Sequence, residues 1–183
     1  MNENLFQTQY DVTKKSKLKE FYQSNKILIF LTLIILIVGF VISIYLNELK
    51  DEKRNLLAEK YMTARLYLQN GEKNKAENIF KDLVLANDST YSTLSLFIII
   101  NENLIQKPEI VYELFNHVLK NNKFEKEFKN LISFKKALYE SNFVNESQLL
   151  DSLNAIINSD SLWKPHALLL LGDYFFNKKE NLK

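Results

Sequence analysis

The longest apolar run in the chain covers residues 27–46, ILIFLTLIILIVGFVISIYL, twenty positions without a charge. Coiled as a helix it rises about 30 Å, the thickness of a bilayer's hydrocarbon core. Backbone amides find no water in lipid, so a single span there has to be helical, and Thr32, Gly39 and Ser43 are compatible with that. Tyr22 and Tyr45 fall where interfacial aromatics sit. The apolar core of a cleaved export signal is shorter, roughly 7–15 residues, and small residues follow it. This run leads instead into Asn47-Glu48-Leu49-Lys50, so the pattern predicts an uncleaved anchor.

Past the run the apolar positions recur at helical spacing. Leu56, Leu57, Tyr61, Ala64 and Leu68 form one stripe, closed by Gly71, a residue suited to the left-handed conformation that ends helices. A second stripe follows at Ala76, Ile79, Phe80, Leu83 and Val84, which makes residues 54–86 a helical hairpin. A second hairpin is predicted over 90–121, opened by Asp88 or Ser89 as cap and broken around Gln106-Lys107-Pro108. Its first helix, with Leu94, Leu96, Phe97, Ile98, Ile99 and Ile100, is apolar nearly all round, as a helix buried between neighbours is. It is too short for a second span. In its second helix Val111, Leu114, Phe115 and Val118 are expected to face inward.

A third hairpin, 124–158, is expected to bury Phe128, Leu131, Ile132, Ala137 and Leu138, then Leu149, Leu150, Leu153 and Ile156. Asn142 and Asn145 supply its turn. A fourth, 165–183, starts after Ser161 and is incomplete, because the chain ends where its partner helix should begin. The expected architecture is therefore all-α: a tail over 1–26, a transmembrane helix over 27–46, and a domain of antiparallel hairpins over 47–183.

Composition agrees with this. Only 3 Gly and 2 Pro leave few residues for the turns of a sheet protein. With 24 basic against 22 acidic residues there is no one-sign field to draw nucleic acid. Zero Cys excludes disulfides, thiolate metal sites and a Cys nucleophile. The tail carries Lys14, Lys15, Lys17, Lys19 and Lys26, and an equal number of basic residues, Lys50, Lys53, Arg54, Lys60 and Arg65, follows the span. The positive-inside rule counts short segments and discounts long domains. It favours a cytoplasmic N-terminus and, in a bacterium, a periplasmic C-terminal domain on a single-pass inner-membrane protein. No fold is expected for the first dozen residues.

The spacing Ala64, Tyr67, Gly71, Ala76, Phe80 resembles the tetratricopeptide repeat, with a small residue and an aromatic on each helix and glycine at the turn. In such a hairpin Ala64 and Ala76 let two backbones approach, while Tyr67 and Phe80 fill the space toward the next hairpin. Leu171-Gly172-Asp173-Tyr174-Phe175 is similar to the Leu-Gly-x-x-aromatic core of the repeat's first helix. Unit starts near Leu57, Ser92, Asn130 and Pro165 approach the repeat length of about 34 residues, with one longer interval, as in a degenerate α-solenoid.

Phe21-Tyr22-Gln23-Ser24-Asn25-Lys26, one span, a helical connector and degenerate hairpins together resemble the bacterial YfgM family, the ancillary subunit of the SecYEG translocon. Asn87-Asp88-Ser89-Thr90-Tyr91-Ser92-Thr93-Leu94 is similar to the Thr-Tyr-x-x-Leu-Ala segment opening that family's second hairpin, with Ser95 where Ala is frequent. The resemblance implies association with the translocon and with a membrane-anchored periplasmic chaperone. The competing reading is a tetratricopeptide scaffold for envelope assembly or cell division, or an organellar import receptor with a cytosolic domain.

Catalytic chemistry is not expected. His117 and His166 lie in different hairpins with no carboxylate at metal-ligand spacing. No phosphate loop, Gly-x-Ser-x-Gly elbow or His-Glu-x-x-His helix occurs. No cofactor, metal or small-molecule substrate is anticipated, and Tyr61, Tyr67, Tyr91, Phe97, Tyr112 and Tyr139 read as core positions before they read as a peptide groove.

Overall fold

A computed structural model describes residues 17–180. The expectation for the first dozen residues, and Lys14 and Lys15 of the tail, lie outside the described residues. Among those described there are seven helices and no strand: α1 Lys17–Gln69, α2 Lys73–Val84, α3 Ser89–Asn101, α4 Pro108–Asn121, α5 Lys126–Glu140, α6 Glu146–Ile157 and α7 Lys164–Glu180. The chain divides into two units, Met1–Glu52 and Lys53–Lys183.

In the first unit α1 is long and apolar enough to span a membrane. Nearly all its apolar side chains over 27–46 are exposed, Ile27 at 71%, with Ile29 half-buried, the pattern of a helix able to face lipid on all sides. Thr32 donates its hydroxyl to Leu28 O at 2.8 Å, so its polar atom is satisfied within the helix. Asn25 leaves helical geometry (φ −117°, ψ 18°) while its amide donates to Phe21 O at 3.2 Å. A side chain competing for the ladder carbonyl accounts for a kink at this place, two residues before the apolar run.

In the second unit the boundaries follow from capping. The α1 terminus is a Schellman motif: Glu72 N–H donates to Tyr67 O and Gly71 N–H to Leu68 O, with Gly71 at φ 78°. Asp88, the cap of α3, accepts from Thr90 N and Tyr91 N at 3.0 and 2.9 Å. Pro108 occupies the first turn of α4, where a missing N–H costs nothing. Asn145 and Gln148 form a reciprocal capping box at α6. The end of α3 departs from expectation. It stops at Asn101, short of the expected break around Gln106-Lys107-Pro108, because Asn103 adopts φ 47° and the Leu104 and Asn103 amides return to Ile99 O and Ile100 O. Asparagine fills here the role expected of glycine.

Neighbours in sequence are neighbours in space: α2 packs on α3, α3 on α4, α4 on α5, α5 on α6 and α6 on α7, with α2 also touching α4. Two apolar cores result. The first runs from Leu57 and Ala64 through Phe80, Leu96, Ile99 and Phe115 to Ile132. The second joins Phe134 and Ala137 to Leu149, Leu153, Ile156, Ala167 and Leu171. Ile132 and Phe134 are two positions apart on α5 and so project about 200° apart, which lets one helix serve both cores. Ser161 ties the α6–α7 connection to α5: its hydroxyl donates to Glu127 Oε2 at 2.9 Å and accepts from Asn130 Nδ2 at 3.0 Å.

Candidate binding groove

The repeat-type positions divide between core and surface. Ala64, Ala76 and Phe80 are wholly buried in the first core. The edge of Phe80 meets Tyr61, with ring centroids 5.8 Å apart, and Tyr61 in turn lies 5.9 Å from Tyr91 of α3. The aromatic link from the first hairpin to α3 is therefore made by Tyr61. Tyr67 is half-buried at the hairpin's end and carries Lys75 Nζ over its ring at 5.1 Å, while Lys75 also pairs with Glu72. Those contacts hold the Lys75 ammonium above its ordinary value, first through the Glu72 hydrogen bond and then through its charge. On α7, Leu171 is buried in the second core, Phe175 is half-buried and Gly172 is exposed with open space around it.

Several positions expected inside are outside: Leu94 (42% exposed), Phe128 (41%), Leu138 (41%) and Leu150 (38%), while Phe134, which the spacing passed over, is buried. Leu94 and Phe128 line one hollow and Leu138 a second, with Phe97 common to both. Leu94, Phe97 and Ile100 stand at every third position of α3, so they line one face of it. Opposite stand Phe124, Phe128, Leu138 and Tyr139 on and just before α5, and α4 packs against both helices. Between the walls lie two compartments, of about 480 Å³ toward Thr90, Thr93 and Phe128 and about 250 Å³ toward Ile100, Leu138 and Asn142. Phe97 lines both. The result is an apolar, open groove between α3 and α5.

Its walls are fixed from behind. The Tyr139 ring is held by Phe115 (6.3 Å), Tyr112 (5.8 Å) and Phe143 (5.5 Å), and Phe128 leans on Phe124 at 5.5 Å. Thr93 donates its hydroxyl to Ser89 O at 2.8 Å, which removes one polar group from competition for a ligand. Burial raises the phenols of Tyr112 and Tyr139 above the ordinary 10.0, the nearby acidic charges adding to the effect, so both remain neutral donors at physiological pH.

Among the described residues no three His, Cys, Asp or Glu side chains gather as a metal would need. His117 bonds Asn87 Oδ1 through Nε2 at 2.8 Å and Asn121 through Nδ1 at 3.1 Å, two surface amides that occupy both ring nitrogens. His166 packs beside Trp163 and Phe134 in the second core's rim. Of the aromatics singled out from the sequence, Phe97 and Tyr139 line the groove, whereas Tyr61, Tyr67 and Tyr91 pack against the first core and Tyr112 backs Tyr139. No family model, curated protein or solved structure matches the chain.

Proposed function

We propose that this chain is a non-enzymatic, membrane-anchored interaction module: residues 27–46 cross the bilayer, and the hairpins beyond stack as a tetratricopeptide-like solenoid that receives a segment of another protein. The observation that carries the reading is the α3/α5 groove. Leu94, Phe128 and Leu138 are large apolar side chains left in water, and they are gathered around Phe97, Leu94 and Phe128 in one compartment and Leu138 in the other. Exposure of such a patch costs stability, so a partner that covers it is the economical explanation.

The family resemblance supplies the identity of the partners: the SecYEG translocon and a membrane-anchored periplasmic chaperone, met by a periplasmic domain on the inner membrane. Affinity purification in mild detergent tests this. Recovery of translocon or chaperone subunits is expected, with loss on Phe97→Asp; their absence from the purified complex counts against the reading. Reaction of an introduced Ser89→Cys with a membrane-impermeant maleimide in intact spheroplasts is expected for a periplasmic domain, and protection until lysis marks a cytosolic one. Ser89 is exposed, so the reagent reaches it on either side of the membrane.

A further inference from the structure

Lys135 is the one charged side chain lining the smaller compartment, while in the larger one Lys123 stands beside Glu125. α3 carries no charged residue, so the charged side chains lining the groove come from α5 and the residues just before it, with Glu109 of α4 near enough to act on Tyr139. That stretch holds Lys123, Lys126, Lys129, Lys135 and Lys136 against Glu125, Glu127 and Glu140. Two of the three carboxylates are already engaged. Glu127 accepts from the Ser161 hydroxyl and from Leu162 N–H at 2.9 and 3.0 Å, and Glu140 accepts from Ser152 at 2.8 Å and pairs with Lys136 at 3.4 Å. Lys135 lines the smaller compartment and Lys123 the larger, and among the described residues no carboxylate pairs with either.

Lys135 is half-buried among Phe97, Ile100, Leu138 and Tyr139. Its aliphatic stem covers apolar surface, and among the described residues its ammonium has no carboxylate partner. A carboxylate brought by a ligand would meet it in a medium of reduced dielectric, where a charge-assisted bond is stronger than at an open surface. The apolar room lies on both sides of the Phe97 ring.

Building on the interaction-module reading, we infer that the groove receives an acidic apolar segment of another polypeptide, one apolar side chain seated on each side of Phe97 and a carboxylate set on Lys135. A bilayer surface is the alternative source of anions and apolar chains, but a flat surface does not enter a cleft walled by two helices.

The test uses the full-length chain in phosphatidylcholine nanodiscs and fluorescent synthetic peptides of roughly twelve residues, long enough to cross the groove. One peptide carries two phenylalanines and three glutamates, a second replaces the glutamates by lysine, and a third replaces the phenylalanines by alanine. Anisotropy is expected to show the first binding at least about tenfold more tightly than either of the others, and losing affinity as salt is raised. Lys135→Glu combined with Lys123→Glu should reverse the preference toward the lysine peptide, a gain that mere unfolding does not produce. Equal binding of the glutamate and lysine peptides, or an unchanged preference in the double variant, overturns the inference. So does displacement of the glutamate peptide by soluble short-chain phosphatidylserine at concentrations where short-chain phosphatidylcholine displaces none, which would assign the groove to lipid headgroups. If the double variant still recovers envelope proteins in detergent as the parent does, the module reading stands and this assignment of the groove fails.

Discussion

Two glycines, one substitution and opposite outcomes give the sharpest test of the local physics. Neither Gly71 nor Gly172 has a heavy atom within 4 Å of where a Cβ would stand, so an added methyl group meets open space at both. Only the backbone differs: Gly71 holds φ 78° at the end of α1, whereas Gly172 lies within the helix α7. Alanine in the left-handed region costs about 1–2 kcal/mol, offset by roughly 0.4–1 kcal/mol because the unfolded chain has less freedom to lose. Gly71→Ala should therefore destabilise by about 1 kcal/mol, and Gly71→Asn by less. Within a helix the preference reverses, and Gly172→Ala should stabilise by about 0.5–1 kcal/mol. The unfolded-state contribution is common to both, so the difference of about 2 kcal/mol isolates the native dihedral. For a unit of this size the melting temperatures of the two variants should stand roughly 6–10 °C apart. Thermal unfolding followed by circular dichroism, together with fluorescence of Trp163, the single tryptophan, reads both cores. A neutral Gly71→Ala would refute the left-handed assignment, and a destabilised Gly172→Ala would mean that this face of α7 is covered in the protein as it exists.

Further outcomes follow from single contacts. Asp88→Ala removes two cap bonds and should cost about 1 kcal/mol in urea unfolding, with Asp88→Asn close to the parent. Phe80→Ala empties a wholly buried site and should cost about 3–5 kcal/mol, a large share of the roughly 5–15 kcal/mol of an ordinary domain, read as a lowered urea midpoint. The Tyr112 phenol is raised by burial, so above its ordinary 10.0 the folded chain keeps a proton that the unfolded chain releases, and stability falls as pH rises through that window. Tyr112→Phe should lose less stability between about pH 8 and about pH 11, measured by urea midpoints. It should be no less stable at neutral pH, because the buried hydroxyl has no hydrogen-bond partner.

Helix count and most helix ends were legible in the sequence because they are set locally. Gly71, Asp88, Pro108 and Asn145 act within one turn of themselves, and their chemistry needs no tertiary context. The end of α3 was misplaced because asparagine takes the left-handed conformation only some of the time, so Asn103 carries a weaker signal than glycine. The groove was not legible, and the reason is instructive. α3 is apolar around most of its circumference, so periodicity could not tell which face the core would take. Leu96 and Ile99 went inward, and Leu94 and the Phe97 side were left over. On α5 the same ambiguity put Phe128 and Leu138 inside on paper, while the helix turned Ile132 to one core and Phe134 to the other. Only the juxtaposition of α3 with α5 turns these remainders into a cleft, and such pairings across tens of residues leave no mark on a local window.

The two-sided use of α5 also bears on how the chain comes off the ribosome. Every buried side chain of the first core precedes Phe134, so that core can close once α5 has emerged, before α6 and α7 have been synthesised. During that interval Phe134 and Ala137 stand bare on the far side of α5. The last two helices then act as a lid on a nascent sticky surface, and any slowing of synthesis between Glu140 and Leu171 prolongs the time that surface spends open to chaperones or to aggregation.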